Sequence, residues 1–235
     1  TTWKRHASIS RTCSTLSINI YIIKGVTQPL AHGQGFVIPN NPPSAMIRLY
    51  LVRHGETIEN ASHILQGQSE GHLSDVGISQ AREVAEKLKA TTFDLVISSD
   101  LTRARRTAEI INEFHHLPLF TSPLLRERDW GEFTGKKISE IRVRPEEFPP
   151  SVENPQQLQQ RARQFLNFLF EHYEGKTVLA VGHGYFNRCI LAEIQHVTPH
   201  SVPRVENCEV RIVEIHATQL AQLNSSPTAD ELSEK

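Results

Sequence analysis

The chain has 235 residues, 38% of them hydrophobic, and a formal net charge of −1 at pH 7. This is enough apolar material for one sizeable core, and the near-neutral balance argues against a nucleic-acid binder with its basic stripe. No apolar run reaches the ~20 residues that a membrane-spanning helix needs.

Residues 1–45 differ from the rest: they hold four Lys/Arg, ten Ser/Thr and no Asp or Glu. The remaining 190 residues carry 21 Lys+Arg against 26 Asp+Glu. The first segment closes with Pro39-Asn-Asn-Pro-Pro43, which reads as a linker. Met46, the only methionine, stands directly before the first strand. Either residues 1–45 are an organelle transit segment, whose composition they match, or Met46 is the natural start. Both readings leave 1–45 as a poorly ordered or non-native extension without a catalytic role, ahead of a domain at 46–218 and a flexible tail at 219–235.

Ile47–Val52 reads as a short buried strand, with five of six residues apolar or aromatic. It stops at Arg53-His54-Gly55-Glu56-Thr57. In open α/β sheets ligands bind beyond the carboxyl ends of strands. An arginine can clamp anionic oxygens there while a neutral imidazole attacks phosphorus. Asn60 and Leu65-Gln66-Gly67 follow, then a helix near Asp75–Lys89.

A second buried strand is expected at Phe93–Ser98, and a helix at Leu101–Phe114 from the spacing of Ala104, Ala108, Ile111 and Phe114. Asp100 is then a plausible N-cap. Arg103 falls in the first helical turn, where amides and the dipole favour an anion. Arg105 and Arg106 read as an exposed face or salt-bridge partners. After a short strand near Pro118–Thr121 comes Leu124–Gly135, with Glu127, Asp129 and Glu132; chemistry alone does not select among these carboxylates. Helix Gln156–Tyr173 carries an apolar stripe. Strand Lys176–Val181 leads to Gly182-His183-Gly184, whose glycines let backbone approach a ligand closely. A helix at Tyr185–Glu193 and an edge strand at Glu209–His216 complete the pattern. Such alternation predicts an α/β fold, a three-layer αβα sandwich with a largely parallel central sheet.

The four elements around Arg53-His54, Arg103, Glu127 and His183, in this order over about 140 residues, resemble the histidine phosphatase superfamily in its phosphoglycerate mutase-like branch. The likeness is greatest to small broad-specificity and α-ribazole-type phosphatases. It implies a phosphoglycerate mutase-like fold and a catalytic set of Arg53, His54, Arg103, Glu127 and His183. His54 would be the nucleophile and Glu127 the general acid, with Asp129 and Glu132 structural, paired with Arg126, Arg128 or backbone amides. Arg53, Arg103 and His183 would surround the phosphoryl oxygens, and Asn60, Gln66, Gly67 and Gly184 would contribute to the substrate pocket.

The implied activity is metal-independent hydrolysis of small phosphate monoesters through a phosphohistidine. Alternatives are a mutase-type phosphoryl transfer or a catalytically silent binding relative. Only 55 residues separate Glu127 from His183, which leaves little room for a mutase lid and favours water as acceptor. Arg142 and Arg144 could reach a second anionic group, although solvated surface is the simpler reading. Trp130, Phe133, Phe148, Tyr185 and Phe186 are candidate pocket walls. Neighbouring guanidiniums should hold His54 neutral, and His183 should carry a proton once an anionic substrate binds.

Twelve histidines invite a metal hypothesis. Yet there is no HExxH, and Pro199 breaks any helical pairing of His196 with His200, so no metal or cofactor is expected. Cys13, Cys189 and Cys208 are odd in number and form no CxxC pair, which suggests a reducing, cytoplasmic setting. The expected partner is a small phosphorylated metabolite, with neither nucleic acid nor membrane; oligomeric state does not follow.

Overall fold

The computed structural model describes residues 20–23 and 46–217. Six strands, β1 (Ile20–Ile23), β2 (Met46–Arg53), β3 (Leu95–Ser98), β4 (Leu119–Thr121), β5 (Thr177–Gly182) and β6 (Val210–His216), form one sheet in the order β1-β6-β2-β5-β3-β4, and a one-turn helix, α1 (Ile58–Ala61), follows β2. Its centre is β2 hydrogen-bonded in parallel to β5, which also pairs in parallel with β3. β4 continues this parallel run. β6 reverses direction beside β2, and β1 pairs antiparallel with its far side. The expected edge strand is therefore not at the edge. A four-residue piece of the first segment, Ile20-Tyr-Ile-Ile23, covers it; this β-branched run favours a strand, a signal masked by the basic, Ser/Thr-rich stretch around it. The rest of 1–45 and the tail from 218 lie outside the described residues.

The five expected strands and four expected helices are present with ends shifted by at most two residues. Side chains alternate across the strands, so each face of the sheet acquires its own core. On one face Ile47, Leu49, Leu51, Val178 and Ala180 pack beneath α4 (Pro155–Tyr173) and α5 (Gly184–Gln195), with Phe165 and Leu166 fully buried between them. On the other, Val52, Val96, Leu179 and Val181 meet α2 (Asp75–Leu88) and α3 (Thr102–Asn112) through Val84, Leu88, Ala104 and Ala108. The result is the three-layer αβα sandwich with one reversed strand in a mostly parallel sheet.

Local chemistry sets the helix starts. Ser74 caps α2 through the Gly77 amide, and Asn154 with Gln157 forms a capping box on α4 ahead of Pro155. Gly77 also allows a close approach: a β-carbon there would overlap the backbone of Glu56, just beyond the end of β2. Among the described residues no helix is long and apolar enough to cross a membrane.

Candidate active site

β2 and β5 lie in register, with Arg53 opposite Gly182, so the residues that follow each strand emerge side by side. His54 donates its amide to Gly182 O (3.0 Å). Its carbonyl accepts from Asn207 Nδ2 (3.0 Å), while the Cys208 amide reaches Arg53 O (3.0 Å) and His54 O (3.3 Å). The Arg53-His54 backbone is thus held from both sides. The His54 and His183 rings face one another with centroids 5.1 Å apart.

His54 Nδ1 lies 2.7 Å from the Gly55 carbonyl. A carbonyl only accepts, so Nδ1 carries the proton and Nε2 keeps its lone pair. Burial pushes the His54 pKa well below its ordinary value, and the Arg103 and Arg53 guanidiniums push the same way. His183 is lowered in the same manner by burial, then by Arg103, His54, Arg53 and Arg161. Desolvation is thus the larger cause, ahead of the cations that the sequence pointed to.

Arg103 is fully buried in the first turn of α3. It donates to Gly67 O (2.7 Å) and Ser69 O (2.8 Å), which fixes its fork. Burial lowers its pKa to about 10, leaving it charged near neutrality. Arg53 is anchored through Nη1 to Val205 O (3.0 Å). A β-carbon on Gly184 would sit 3.2 Å from Arg53 Nε, so the start of α5 and this guanidinium share one tight space. Arg53 Nε, Arg103 Nε and both ring nitrogens of His183 are buried without partners. Orphaned donors of this kind, beside two cations, fit an anion that several of them would share.

Glu127 meets the same helix from the other side. Its Oε1 accepts from the amides of Arg128 (2.8 Å) and Phe186 (3.1 Å), and its Oε2 from that of Tyr185 (3.1 Å). The positive end of α5, whose N-cap is His183, is therefore directed at this carboxylate. Asp129 instead accepts from the Gly131 amide (2.8 Å), and Glu132 is exposed.

Other expectations fall differently. Asp100 does not cap α3: the cap position is Leu101, with no side-chain hydrogen bond. The Asp100 carboxylate takes Arg126 Nε (2.8 Å) and Nη2 (2.6 Å), because a forked charged pair outcompetes one amide contact. Arg105 and Arg106 pair with Glu109 on the exposed face. Asn60 Oδ1 accepts from the Thr57 amide (3.3 Å) and from Asn207 Nδ2 (3.3 Å), bracing the turn after the first motif. Gln66 donates to Thr57 Oγ1 (2.8 Å) and keeps a buried, unpartnered Oε1. Arg142 is exposed, and Arg144 pairs with Glu147. Of the five aromatics, Phe186 and Phe133 are buried, whereas Trp130, Phe148 and Tyr185 are partly exposed around the Arg128 guanidinium. Arg161 and Asn207 had no sequence signal of their own, and Arg128 was expected only as a partner for Asp129 or Glu132. Among the described residues no three His, Cys, Asp or Glu side chains converge as a metal cage would require.

Residues 49–225 match the family model described as histidine phosphatase superfamily (branch 1). The chain belongs to this superfamily. Its relatives within it include the uncharacterized phosphatase PhoE of Bacillus subtilis, 38% identical over 155 residues that span 66% of this chain and 80% of that one. A probable phosphoglycerate mutase, GpmB of Yersinia enterocolitica, is 33% identical over 72% of this chain and 85% of its own. Among solved structures of the superfamily, the α-ribazole phosphatase from Shigella flexneri superposes with a TM-score of 0.63 at 27% identity, covering 70% of this chain and 89% of that one. The chain's relatives thus include proteins named as phosphatases and one named as a probable phosphoglycerate mutase.

Proposed function

We propose that this chain hydrolyses phosphate monoesters of small metabolites through a phosphohistidine at His54. The observation that carries this reading is the His54 tautomer: Nδ1 is committed to Gly55 O, and Nε2 is free beside Arg103 and His183. His54 Nε2 attacks phosphorus while Arg53, Arg103 and His183 stabilise the three non-bridging oxygens, where charge stabilisation contributes most. His183, held neutral by its surroundings, takes up a proton as the dianion arrives.

The P–O bond to the alcohol breaks, and Glu127 supplies the proton that the departing oxygen needs. Oε1 already accepts two hydrogen bonds and Oε2 only one, so Oε2 keeps the lone pair that carries this proton. Water then attacks phosphorus, Glu127 takes one of its protons, the P–N bond breaks, and inorganic phosphate leaves. The two guanidiniums supply the positive charge, so no metal or cofactor enters these steps.

Hydrolysis is favoured over mutase transfer by the segment after Glu127. Residues 135–147 are almost all exposed and form only short 3₁₀ turns at Ile138–Glu140 and Pro145–Glu147. With Arg144 held by Glu147, nothing there excludes water from the phosphohistidine.

The test is rapid-quench labelling with a ³²P-phosphate monoester. The expected result is an acid-labile, base-stable phosphoenzyme that is absent from His54→Ala, with turnover unchanged by chelator. Normal turnover or labelling by His54→Ala would reject the mechanism.

A further inference from the structure

The loop bearing Glu127 is tied to α4 by a clip that the proposed mechanism does not use. Arg161, two turns into α4, donates Nη1 to Leu124 O (3.2 Å) and Arg126 O (2.6 Å). Its Nη2 donates to Glu127 O (3.3 Å) and to Glu153 Oε2 (2.7 Å), and its Nε to Glu153 Oε1 (2.8 Å). All three nitrogens of one guanidinium are therefore occupied, and three carbonyls within four consecutive residues converge on it.

Glu153 extends the clip. Its Oε2 accepts the Asp129 amide (3.0 Å), its amide reaches Asp129 O (2.9 Å), and its carbonyl accepts from Arg128 Nε (2.8 Å). The guanidinium also stacks on Phe186, with Cζ 3.8 Å from the ring centroid. Phe186 is the residue whose amide holds Glu127 Oε1 (3.1 Å). One part-buried cation thus fixes the backbone on which Glu127 is mounted and packs on the helix whose amides hold its carboxylate.

We infer that Arg161, oriented by Glu153, is a positioning residue that sets where the Glu127 carboxylate meets the leaving oxygen; this rests on the reading of Glu127 as general acid. A device that merely held the domain together would not need to gather the carbonyls of the acid loop in particular. Lysine cannot replace it, because one ammonium presents no flat fork and does not stack on Phe186 in the same plane.

The experiment is steady-state kinetics on the full chain, wild type against Arg161→Met, Arg161→Lys and Glu127→Gln, using 4-nitrophenyl, phenyl and simple alkyl phosphates. Displacing an acid by about 1 Å can lower a rate on the order of 100-fold, so Arg161→Met should lose about that factor in kcat/KM on alkyl phosphates, the ratio that reports the step in which the P–O bond breaks. Nitrophenolate departs without a proton, so its kcat/KM, which does not include the later water step where Glu127 is the base, should change by less than about 3-fold. Arg161→Lys should resemble Met. Adding Arg161→Met to Glu127→Gln should lower the alkyl rate no further, because both changes remove one function.

Equal loss across the leaving groups, or full additivity in the double variant, would overturn the inference. If Glu127→Gln discriminates between leaving groups while Arg161→Met does not, the acid assignment stands and the positioning role falls. If neither discriminates, both fall. Should Arg161→Met fail to fold, Glu153→Gln loosens the same clip without removing the guanidinium, and it must show the same selectivity for alkyl substrates.

Discussion

Glu127→Gln is the substitution whose consequences the structure specifies most fully. Glutamine keeps the shape and can retain an oxygen against the Arg128 and Phe186 amides. It must then place an NH₂ where Oε2 now stands 3.1 Å from the Tyr185 nitrogen. Donor facing donor leaves that amide unpaired, at about 1–3 kcal/mol for a buried group; the site is only part-buried, so the lower end applies. At roughly 2–4 °C per kcal/mol for a domain of this size, the thermal midpoint should fall by a few degrees and no more. Catalysis should suffer far more. Losing a general acid lowers kcat/KM by about 10²–10⁴-fold where the leaving group is an alkoxide, and much less where it is nitrophenolate, since kcat/KM does not include the later water step. Calorimetry and a leaving-group series on one preparation read both effects. Equal losses on alkyl and aryl substrates would remove Glu127 from the acid role and make Asp129 the next candidate, while an unchanged midpoint would refute the Tyr185 contact.

The buried histidines also make stability depend on pH. His54 and His183 have native pKa values below the unfolded value of about 6.5. Above 6.5 both states are neutral; below it the unfolded chain takes up protons that the native rings refuse. Stability should therefore fall as pH drops from 6.5, by up to about 1.4 kcal/mol per unit for each ring, and level off below the native values. Urea titrations at pH 7, 6 and 5, with His183→Phe as comparison, should show a steeper fall in the wild type; identical slopes would reject the cause. In the core, Phe165→Ala empties a fully buried position beneath the sheet, and a loss of about 3–5 kcal/mol is expected. A change in unfolding free energy below about 1 kcal/mol would mean that α4 does not pack as described.

Much of this was legible because the reactive residues sit at strand ends, where an apolar run breaks off into Arg53-His54 or Gly-His183-Gly. Local periodicity locates such breaks, and their shared side of the sheet follows from the alternation of strand and helix. What stayed hidden depends on contacts between residues far apart in the chain. Asp100 had the right type and place to cap α3, but Arg126, 26 residues away, offered a stronger partner. Arg161 stands in the sequence as one charge among the polar residues of helix 155–173, and nothing there shows Leu124, Arg126 and Glu127 turning their carbonyls toward it. The weight of burial over guanidinium charge in holding His54 neutral also needed the packed site, because a sequence names the neighbours but not the missing water. Ile20-Tyr-Ile-Ile23 carried a local strand signal, but its pairing with β6 is a long-range contact that the basic, Ser/Thr-rich surroundings gave no reason to expect.

The two imidazoles stand 5.1 Å apart, close to the ~4.8 Å repeat between neighbouring strands. The backbone beneath them belongs to the scaffold: the His54 amide donates to Gly182 O directly beyond the β2–β5 pairing. The excursion at 60–71 lies outside the sheet, yet Gly67 and Ser69 supply the carbonyls that hold the Arg103 fork, so exchanging that segment would loosen a guanidinium while leaving the strands that carry the two histidines intact.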